Sequence, residues 1–433
     1  MSDYTSALDS SRFTGQHWKL FITISADYFL NGVMFSVAPL TAYIVAPEMA
    51  IFILATTLLA ETAGAISFGS LADKMGRRVI FTTSLLLEGV ALSLLFFFYT
   101  NPIIFWVLVS VMTFGVGGEF GAAYATLAEL IPVKHRGKVI LLTTNFWNVG
   151  ASVIAGLALF VRTIYDDPFM QVTLLLSSAI ATLIVVGVAR VTFPESPRWL
   201  MLRNRLDEAY SITRRFTSVA VTSPISGTER PANLTLSDVF KSYRFRFAVI
   251  ATLTVSQYVT YGMLAYYLPY SVGFAFGINS APMVVFVSNL GASMGAFILA
   301  PLIDRSRKST TLWSFAGGTV GALLVTASHA TVHPLGFYLF LFFTMIFSEW
   351  AWGVVSALQS EIFPTPLRAS VVGFQTGLTG IAGASVVISS RFLDATPFLL
   401  ISVTLWALGL VSSLLWKTRG IETARKPLET ISR

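Results

Sequence analysis

Apolar residues in this chain come in long unbroken runs, not in the alternation that marks strands. The stretch SLLLEGVALSLLFFFY at 84–99 has no period of two, which excludes the lipid-facing strands of a membrane barrel. A helix that crosses a bilayer needs about 20 mostly apolar residues. Twelve runs meet that length, at 18–45, 49–71, 79–99, 102–130, 139–162, 169–192, 246–275, 280–302, 310–329, 334–361, 370–392 and 396–416. An all-α membrane protein with twelve transmembrane helices is therefore predicted.

The polar positions between the runs fix a topology. Every Lys and Arg except Arg162 and Arg391 falls at the termini or in even-numbered connections. The positive-inside rule then places both termini in the cytoplasm of a multi-pass protein of the cell membrane. The first run lacks a small-residue cleavage site and is read as a retained span. Composition agrees, since 55% of the 433 residues are hydrophobic and only 12% charged. A soluble domain carries about 25% charged residues, so a soluble enzyme, a nucleic-acid binder and a disordered chain are excluded. The formal charge of +7 is spent on topology and lipid headgroups. Cysteine is absent, so disulfides and thiol chemistry are excluded.

One long polar stretch, 193–245, splits the spans six and six. Its first part alternates Leu200, Leu206 and Ala209 with charges, which predicts one or two short amphipathic helices. Its second part, near 221–233, is rich in Ser, Thr, Pro and Gly and reads as a linker. The domains are then 1–192, a linker 193–245 and 246–433. The halves echo each other. Asp73 and Asp304 stand in equivalent connections, and the spacing E-x-x-P-x-x-x-R recurs at Glu129–Pro132–Arg136 and Glu361–Pro364–Arg368. A six-span unit duplicated in parallel places a binding site at the interface of its copies, near mid-membrane.

Four motifs carry a family resemblance. Gly69-Ser-Leu-Ala-Asp73-Lys-Met-Gly76-Arg77-Arg78, Arg136-Gly137, Pro194-Glu195-Ser-Pro-Arg198-Trp-Leu and Ser360-Glu-Ile-Phe-Pro364-Thr-Pro-Leu-Arg368 resemble the major facilitator superfamily. They are similar to its sugar-porter, organic-ion and aromatic-acid branches. The resemblance implies two six-helix bundles rocking about a central cavity, with spans 1, 4, 7 and 10 lining it and 3, 6, 9 and 12 peripheral. It also implies that Asp73, Arg77, Arg78, Glu129, Arg136, Glu195, Arg198, Glu361 and Arg368 form a conformational gate. Glu129–Arg136 and Glu361–Arg368 are the ion pairs expected within it. Ser256-Gln257 stands where sugar porters have a Gln pair, while Tyr266-Tyr267-Leu268-Pro269 matches their span-seven ending.

Five acids fall inside the runs, namely Asp27, Glu61, Glu88, Glu119 and Glu349, with no Lys or Arg read at the same depth. Helical rise puts them roughly 12–18 Å above the cytoplasmic edge, in one layer. Charged groups there mark ion and substrate pathways. Asp27, Glu119, Glu349 and Glu61 are the proton-coupling candidates, and Glu88, on a peripheral span, is read as structural. Neutral polar groups at helical spacing supply the substrate candidates: Asn31, Asn145, Asn148, Gln257, Tyr261, Asn289 and Gln375, with Trp350 and Trp352 beside Glu349. No nucleotide-binding loop, cofactor motif or metal-ligand set is present. His329 and His333 are too few ligands for a metal site.

These readings converge on a monomeric, proton-coupled symporter of a small polar organic solute, working by alternating access. A sugar-like solute leads. An organic cation, which would pair with Glu119 or Glu349, and a proton-antiport exporter are the alternatives within transport. A membrane receptor is the alternative outside it, and it would need an output module that 417–433 is too short to supply.

Overall fold

The computed structural model describes residues 7–190, 193–217, 237, 241–364, 367–426 and 428–431. Within them twelve helices are long and apolar enough to cross a membrane. They run Gly15–Val45, Pro47–Met75, Arg77–Phe98, Pro102–Leu130, Arg136–Val161 and Pro168–Val188 in one half. The other half has Arg244–Tyr270, Ile278–Leu299, Arg307–Ala330, Pro334–Glu361, Ser370–Ser389 and Ala395–Arg419. They are numbered here as spans 1 to 12. Among the described residues the one extended pairing is an isolated bridge between Val272 and Asp394.

Local chemistry sets the ends. Asn101 caps span 4, its side chain accepting from the N–H groups of Ile103 and Ile104, and Pro102 occupies the first turn where its missing N–H costs nothing. Ser306 caps span 9 and His333 caps span 10 in the same way. Two spans are broken. Span 5 turns at Asn145 between helices Arg136–Thr144 and Phe146–Val161. Span 7 loosens into a π-turn at Met263–Tyr267 and a tight turn at Leu268–Tyr270, where Pro269 cannot donate to a continuing ladder. Broken helices are tolerated at membrane depth only where protein or a cavity covers the freed backbone.

Burial sorts the spans as expected. In the core windows of spans 3, 6, 9 and 12, 39, 28, 44 and 39% of residues are buried, against 83, 56, 61 and 56% in spans 1, 4, 7 and 10. The halves meet chiefly where span 2 lies on span 11 and span 5 on span 8. Glycine permits the first contact, because a Cβ on Gly373 would stand 2.3 Å from the Ala65 carbonyl oxygen. Within one half, Gly117 lets span 4 touch span 2, where a Cβ would sit 2.0 Å from the Glu61 carbonyl.

The first and last described residues lie on one side of the bundle, called here the terminal end. There Asp9 O accepts from the Val133 N–H, and Ile431 O accepts from Arg246. The amphipathic helices expected after span 6 are Pro197–Leu202 and Leu206–Phe216, and both pack against this end. The proposed linker near 221–233 lies outside the described residues.

The two glycine contacts predict different failures. Gly117→Leu should abolish the monodisperse detergent-solubilised peak in size exclusion, because two backbones of one bundle cannot separate. Gly373→Leu should keep that peak and lower the melting temperature, because only the two halves are pushed apart.

Candidate functional site

Between the halves lies a chamber of about 40 Å³. A water needs roughly 10–15 Å³ of such space, so the chamber is closed to about the size of a few waters. Its first-half wall comes from spans 1, 4 and 5, through Tyr28, Phe35, Phe120, Trp147 and Asn148. Its second-half wall comes from span 7, through Gln257, Tyr258, Tyr261 and Tyr266, and from Glu349 and Trp352 on span 10. Rings pack around it, Phe35 edge to face with Tyr266 at 5.3 Å and tilted against Trp147 at 5.1 Å, and Tyr258 tilted against Trp352 at 5.9 Å.

Hydrogen bonds stitch the walls together. Asn148 Nδ2 donates to Glu349 Oε2 at 2.7 Å across the halves. The Tyr261 hydroxyl lies 3.0 Å from Asn148 Oδ1 and 2.5 Å from Asn289 Oδ1. Tyr258 donates to Glu61 Oε2 at 2.5 Å, tying span 7 to span 2. Gln257 Nε2 donates to the Ser348 carbonyl and hydroxyl, each at 3.2 Å. Three wall oxygens, Glu349 Oε1, Gln257 Oε1 and the Tyr28 hydroxyl, are buried without a hydrogen bond. Of the expected substrate residues, Asn148, Gln257, Tyr261 and Trp352 therefore line the chamber, and Asn289 stands just behind Tyr261.

The others are elsewhere. Trp350 points off the chamber, its indole N–H donating to Gly295 O at 2.8 Å. One residue is 100° of helix turn, so Trp350 and Trp352 cannot share a face. Asn145 donates to Ser293 at 3.3 Å, locking span 5 to span 8. Gln375 is buried with neither amide atom bonded and does not line the chamber. Asn31 donates to Glu119 Oε2 at 2.8 Å, so it serves a charge and not the cavity.

That charge belongs to a second cluster, inside the first half and behind the Tyr28–Phe120 wall. Arg190, from the end of span 6, reaches inward to pair with both Asp27 and Glu119. It also donates to the Phe81 carbonyl and lies over the Phe81 ring at 4.5 Å. Ser84 donates to Glu119 Oε1 at 2.8 Å. This corrects the expectation that no cation lies at the depth of the acids. Arg190 begins near the terminal end, but its long side chain snorkels the other way, into the bundle, where two carboxylates draw it. Glu88 faces the same region, its Cγ against the space beside Gly115, and neither of its oxygens has a hydrogen bond. The acids thus do not form one layer around one cavity. Glu349 lines the chamber, Glu61 stands behind its wall on the Tyr258 hydroxyl, and Asp27 and Glu119 belong to the Arg190 cluster.

The terminal end holds a third, ionic layer. Glu129, on span 4, is buried and pairs with Arg77 at 3.3 Å and with Arg368 of the other half at 3.0 Å. Ser196 donates to its second oxygen, and Arg198 donates to its carbonyl at 2.6 Å. Asp73 pairs with Arg77 at 3.3 Å and accepts from the Ser370 N–H and hydroxyl at 2.9 and 2.7 Å, again across the halves. Lys138 N donates to Asp304 at 3.2 Å at the symmetric place. The pairs expected within each repeat motif do not form. Arg136 pairs instead with Asp9 at 2.6 Å, as does Arg198 at 3.2 Å, and Glu361 pairs with Arg307 at 3.1 Å. Six residues separate each Glu from its Arg along the chain, and other guanidinium groups, those of Arg77 and Arg368 for Glu129 and of Arg307 for Glu361, claim the carboxylates. Arg78 is exposed and contributes its backbone N–H to Glu195, not a side-chain pair.

The duplication extends from Glu195, expected in the gate, to Glu422 and Thr423, which the sequence reading passed over. Glu195 accepts from the Arg77 and Arg78 N–H groups at 2.9 and 3.1 Å and so caps span 3, while its neighbour Ser196 bonds Glu129. In the other half Glu422 accepts from Arg307 N at 2.9 Å and Ser306 Oγ at 2.6 Å, capping span 9, while Thr423 donates to Glu361 at 2.6 Å. Burial pushes the Glu422 carboxyl up, but those donors and the Lys308 and Ala424 N–H groups outweigh it and hold it below the usual carboxylate range. The signal was present, since Glu195-Ser-Pro-Arg and Glu422-Thr-Ala-Arg repeat one pattern.

A sequence profile of the family described as "Sugar (and other) transporter" matches residues 28–433. An inner membrane metabolite transport protein of Escherichia coli is 29% identical over 417 residues, 94% of this chain and 90% of its own length. A niacin transporter of Acinetobacter baylyi is 25% identical over 387 residues, 85% of this chain and 84% of its own. A solved structure of a proton:xylose symporter of the major facilitator superfamily, bound to 6-bromo-6-deoxy-D-glucose, superimposes with a TM-score of 0.79. It has 18% identity and covers 96% of this chain and 99% of that one.

Removing the buried cation tests the second cluster. Arg190→Leu should lower stability by about 3–5 kcal/mol, the usual effect of leaving buried charges unpaired. Adding Asp27→Asn and Glu119→Gln to it should recover much of the loss, read as melting temperature in detergent. Equal melting temperatures for Arg190→Leu and the triple variant would show that Arg190 acts through packing alone.

Proposed function

Starting from the fact that this chain belongs to the sugar (and other) transporter family, with the twelve-helix major facilitator fold of a membrane transporter and not of an enzyme, we propose that it is a proton-coupled symporter. Its cargo on this reading is a small polar organic solute with a ring-shaped body. The terminal end is the cytoplasmic end, as the placement of Lys and Arg requires, and the host membrane is the plasma membrane. The working unit is a monomer of two bundles, 1–192 and 246–433, joined by 193–245.

One observation carries the coupling. Asp27 and Glu119 share the single guanidinium of Arg190, and the residue after each, Tyr28 and Phe120, lines the chamber. These two carboxylates against one cation leave one negative charge in a medium where charge is costly, and Glu88, facing the same region, adds to the cost of keeping it. A proton neutralises it. Gain or loss of that proton changes how tightly spans 1, 4 and 6 are drawn together, and the step is felt at the chamber wall one residue away. A proton crossing 100 mV supplies about 2.3 kcal/mol, enough for roughly a 50-fold gradient of a neutral solute. Glu349 acts at the chamber itself and Glu61 just behind its wall, where Asn148 and Tyr258 answer them from the opposite half.

The ionic layer sets which way the chamber faces. Glu129–Arg368 and Asp73–Ser370 span the halves at the terminal end and hold that end shut. At the far end Tyr270 donates to the Pro39 carbonyl at 2.7 Å and Phe35 meets Tyr266. The geometry is that of an occluded intermediate of alternating access, and a solute enters when the far end parts. The chamber's ring-lined walls suit a flat or cyclic solute, and relatives named for metabolites and for niacin support a broader class than sugars.

Proteoliposomes test the reading with D-xylose, myo-inositol and nicotinamide as labelled probes. Wild type should accumulate at least one of them under an inward proton gradient. Asp27→Asn and Glu119→Gln should each cut accumulation at least tenfold while equilibrium exchange persists. Accumulation that survives both substitutions together would remove the coupling role. Probe efflux driven by inward proton flow would replace symport by antiport.

The closure is testable separately, in a chain that has no cysteine of its own. A single cysteine placed at buried Ser360 should react slowly with a thiol reagent from the cytoplasmic side. Glu129→Gln should raise that rate about tenfold, and an unchanged rate would show that the ionic layer does not hold the end shut.

A further inference from the structure

The chamber's hydrogen-bond inventory is unbalanced, and the imbalance has chemical content. Its wall amides have already spent their donors. Asn148 Nδ2 serves Glu349 Oε2 and Asn145 Oδ1, and Gln257 Nε2 serves Ser348 twice. The Trp147 indole donates to Tyr266 at 3.3 Å, and the Tyr258 hydroxyl donates to Glu61. The buried wall atoms left without a hydrogen bond are two acceptors, Glu349 Oε1 and Gln257 Oε1, on side chains only 3% exposed, and one hydroxyl, that of Tyr28, which can accept as well as donate. Buried polar atoms left in this state are costly, and a native protein resolves them with a partner.

Charge points the same way. Glu349 is the one formally charged side chain on the chamber wall, and no Lys, Arg or His lines it among the described residues. The surrounding faces are aromatic, with Trp147 and Phe120 on one half and Trp352 and Tyr258 on the other. A ring face attracts a cation, most strongly when water is excluded. An anion entering here would meet a carboxylate and aromatic faces and find no counter-charge. A polyol would find acceptors for its hydroxyl hydrogens, but of its many lone pairs the Tyr28 hydroxyl could answer one, and the wall amides are already engaged.

We infer that the chamber takes a small organic cation, a protonated amine carried on an apolar or aromatic ring, whose N–H donors fill Glu349 Oε1 and Gln257 Oε1 while its ring stacks between the Trp147 and Trp352 walls. The inference rests on the transporter reading for its biological sense, but the site chemistry stands on the wall atoms alone. Glu349 then serves the solute, and the proton work falls to Asp27 and Glu119 behind Tyr28 and Phe120. The nearby cluster does not compete for the cargo, because its cation is built in as Arg190.

Four probes of similar size separate the classes, namely benzylamine, benzyl alcohol, benzoate and D-xylose. Each is titrated into the purified full-length chain, with melting temperature and tryptophan fluorescence as readouts. Benzylamine should bind most tightly and benzoate least. Glu349→Gln should weaken benzylamine at least tenfold, Gln257→Leu about threefold, and Glu349→Asp should retain part of the binding, provided each unliganded variant melts cooperatively. Tighter binding of benzoate or D-xylose than of benzylamine overturns the inference. So does benzylamine binding that Glu349→Gln leaves unchanged, or a wild type that none of the four stabilises. Uptake into proteoliposomes separates the two layers of argument. Accumulation of D-xylose without benzylamine binding sinks the cation and leaves the transporter standing. Benzylamine binding that depends on Glu349, with no solute moved by wild type, does the reverse.

Discussion

A charge buried between helices must be answered by another charge or by donors, and the organisation of this molecule follows from that requirement. Glu129 is the clearest case. It sits fully inside the protein with guanidinium groups from both halves on its carboxylate. Removing one partner leaves an uncompensated ion, so the arrangement is cooperative by construction. Because the partners come from different bundles, the same demand that stabilises the fold would, on the proposed mechanism, also choose between conformations. An exposed pair such as Arg205–Glu208 has no such leverage, since water answers either ion when they part.

The chamber obeys the same rule with weaker groups. Its inter-bundle bonds run through neutral donors, Asn148, Tyr258 and Trp147, each worth about 1 kcal/mol net. Several such bonds together hold a collapsed space shut, yet each is easily exchanged for a bond to a ligand. On the proposed mechanism the ionic layer commits the protein to a state, and the chamber remains negotiable.

Much of this was legible in the sequence. Apolar run length gave the twelve spans, because a bilayer leaves the backbone no alternative to a helix of that length. The doubled motifs gave the two halves. What failed was pairing. Glu129–Arg136 and Glu361–Arg368 look like pairs along the chain, but the partners chosen in space were Arg368 and Arg307. A spacing within one motif says nothing of which helices converge. Arg190 was misread because a basic residue at the end of an apolar run normally flanks a membrane. Here its side chain turns inward, a choice that depends on Asp27 and Glu119 being on neighbouring helices. Trp350 was misplaced because two tryptophans two positions apart look adjacent in sequence and point apart on a helix. Glu422 was the avoidable miss, since the repeat that revealed Asp304 extends to it.

The two mouths of the central space are sealed by unlike materials. One is fastened by ions, which must take up water as they separate. The other is closed by rings and the uncoiled end of span 7, with Tyr270 resting on the Pro39 carbonyl. Cooling weakens contact between apolar surfaces, whereas the hydration of freed ions grows less favourable as temperature rises. On the proposed alternating-access mechanism the balance between outward- and inward-facing forms is thereby built to drift with temperature, and this asymmetry comes from the side chains.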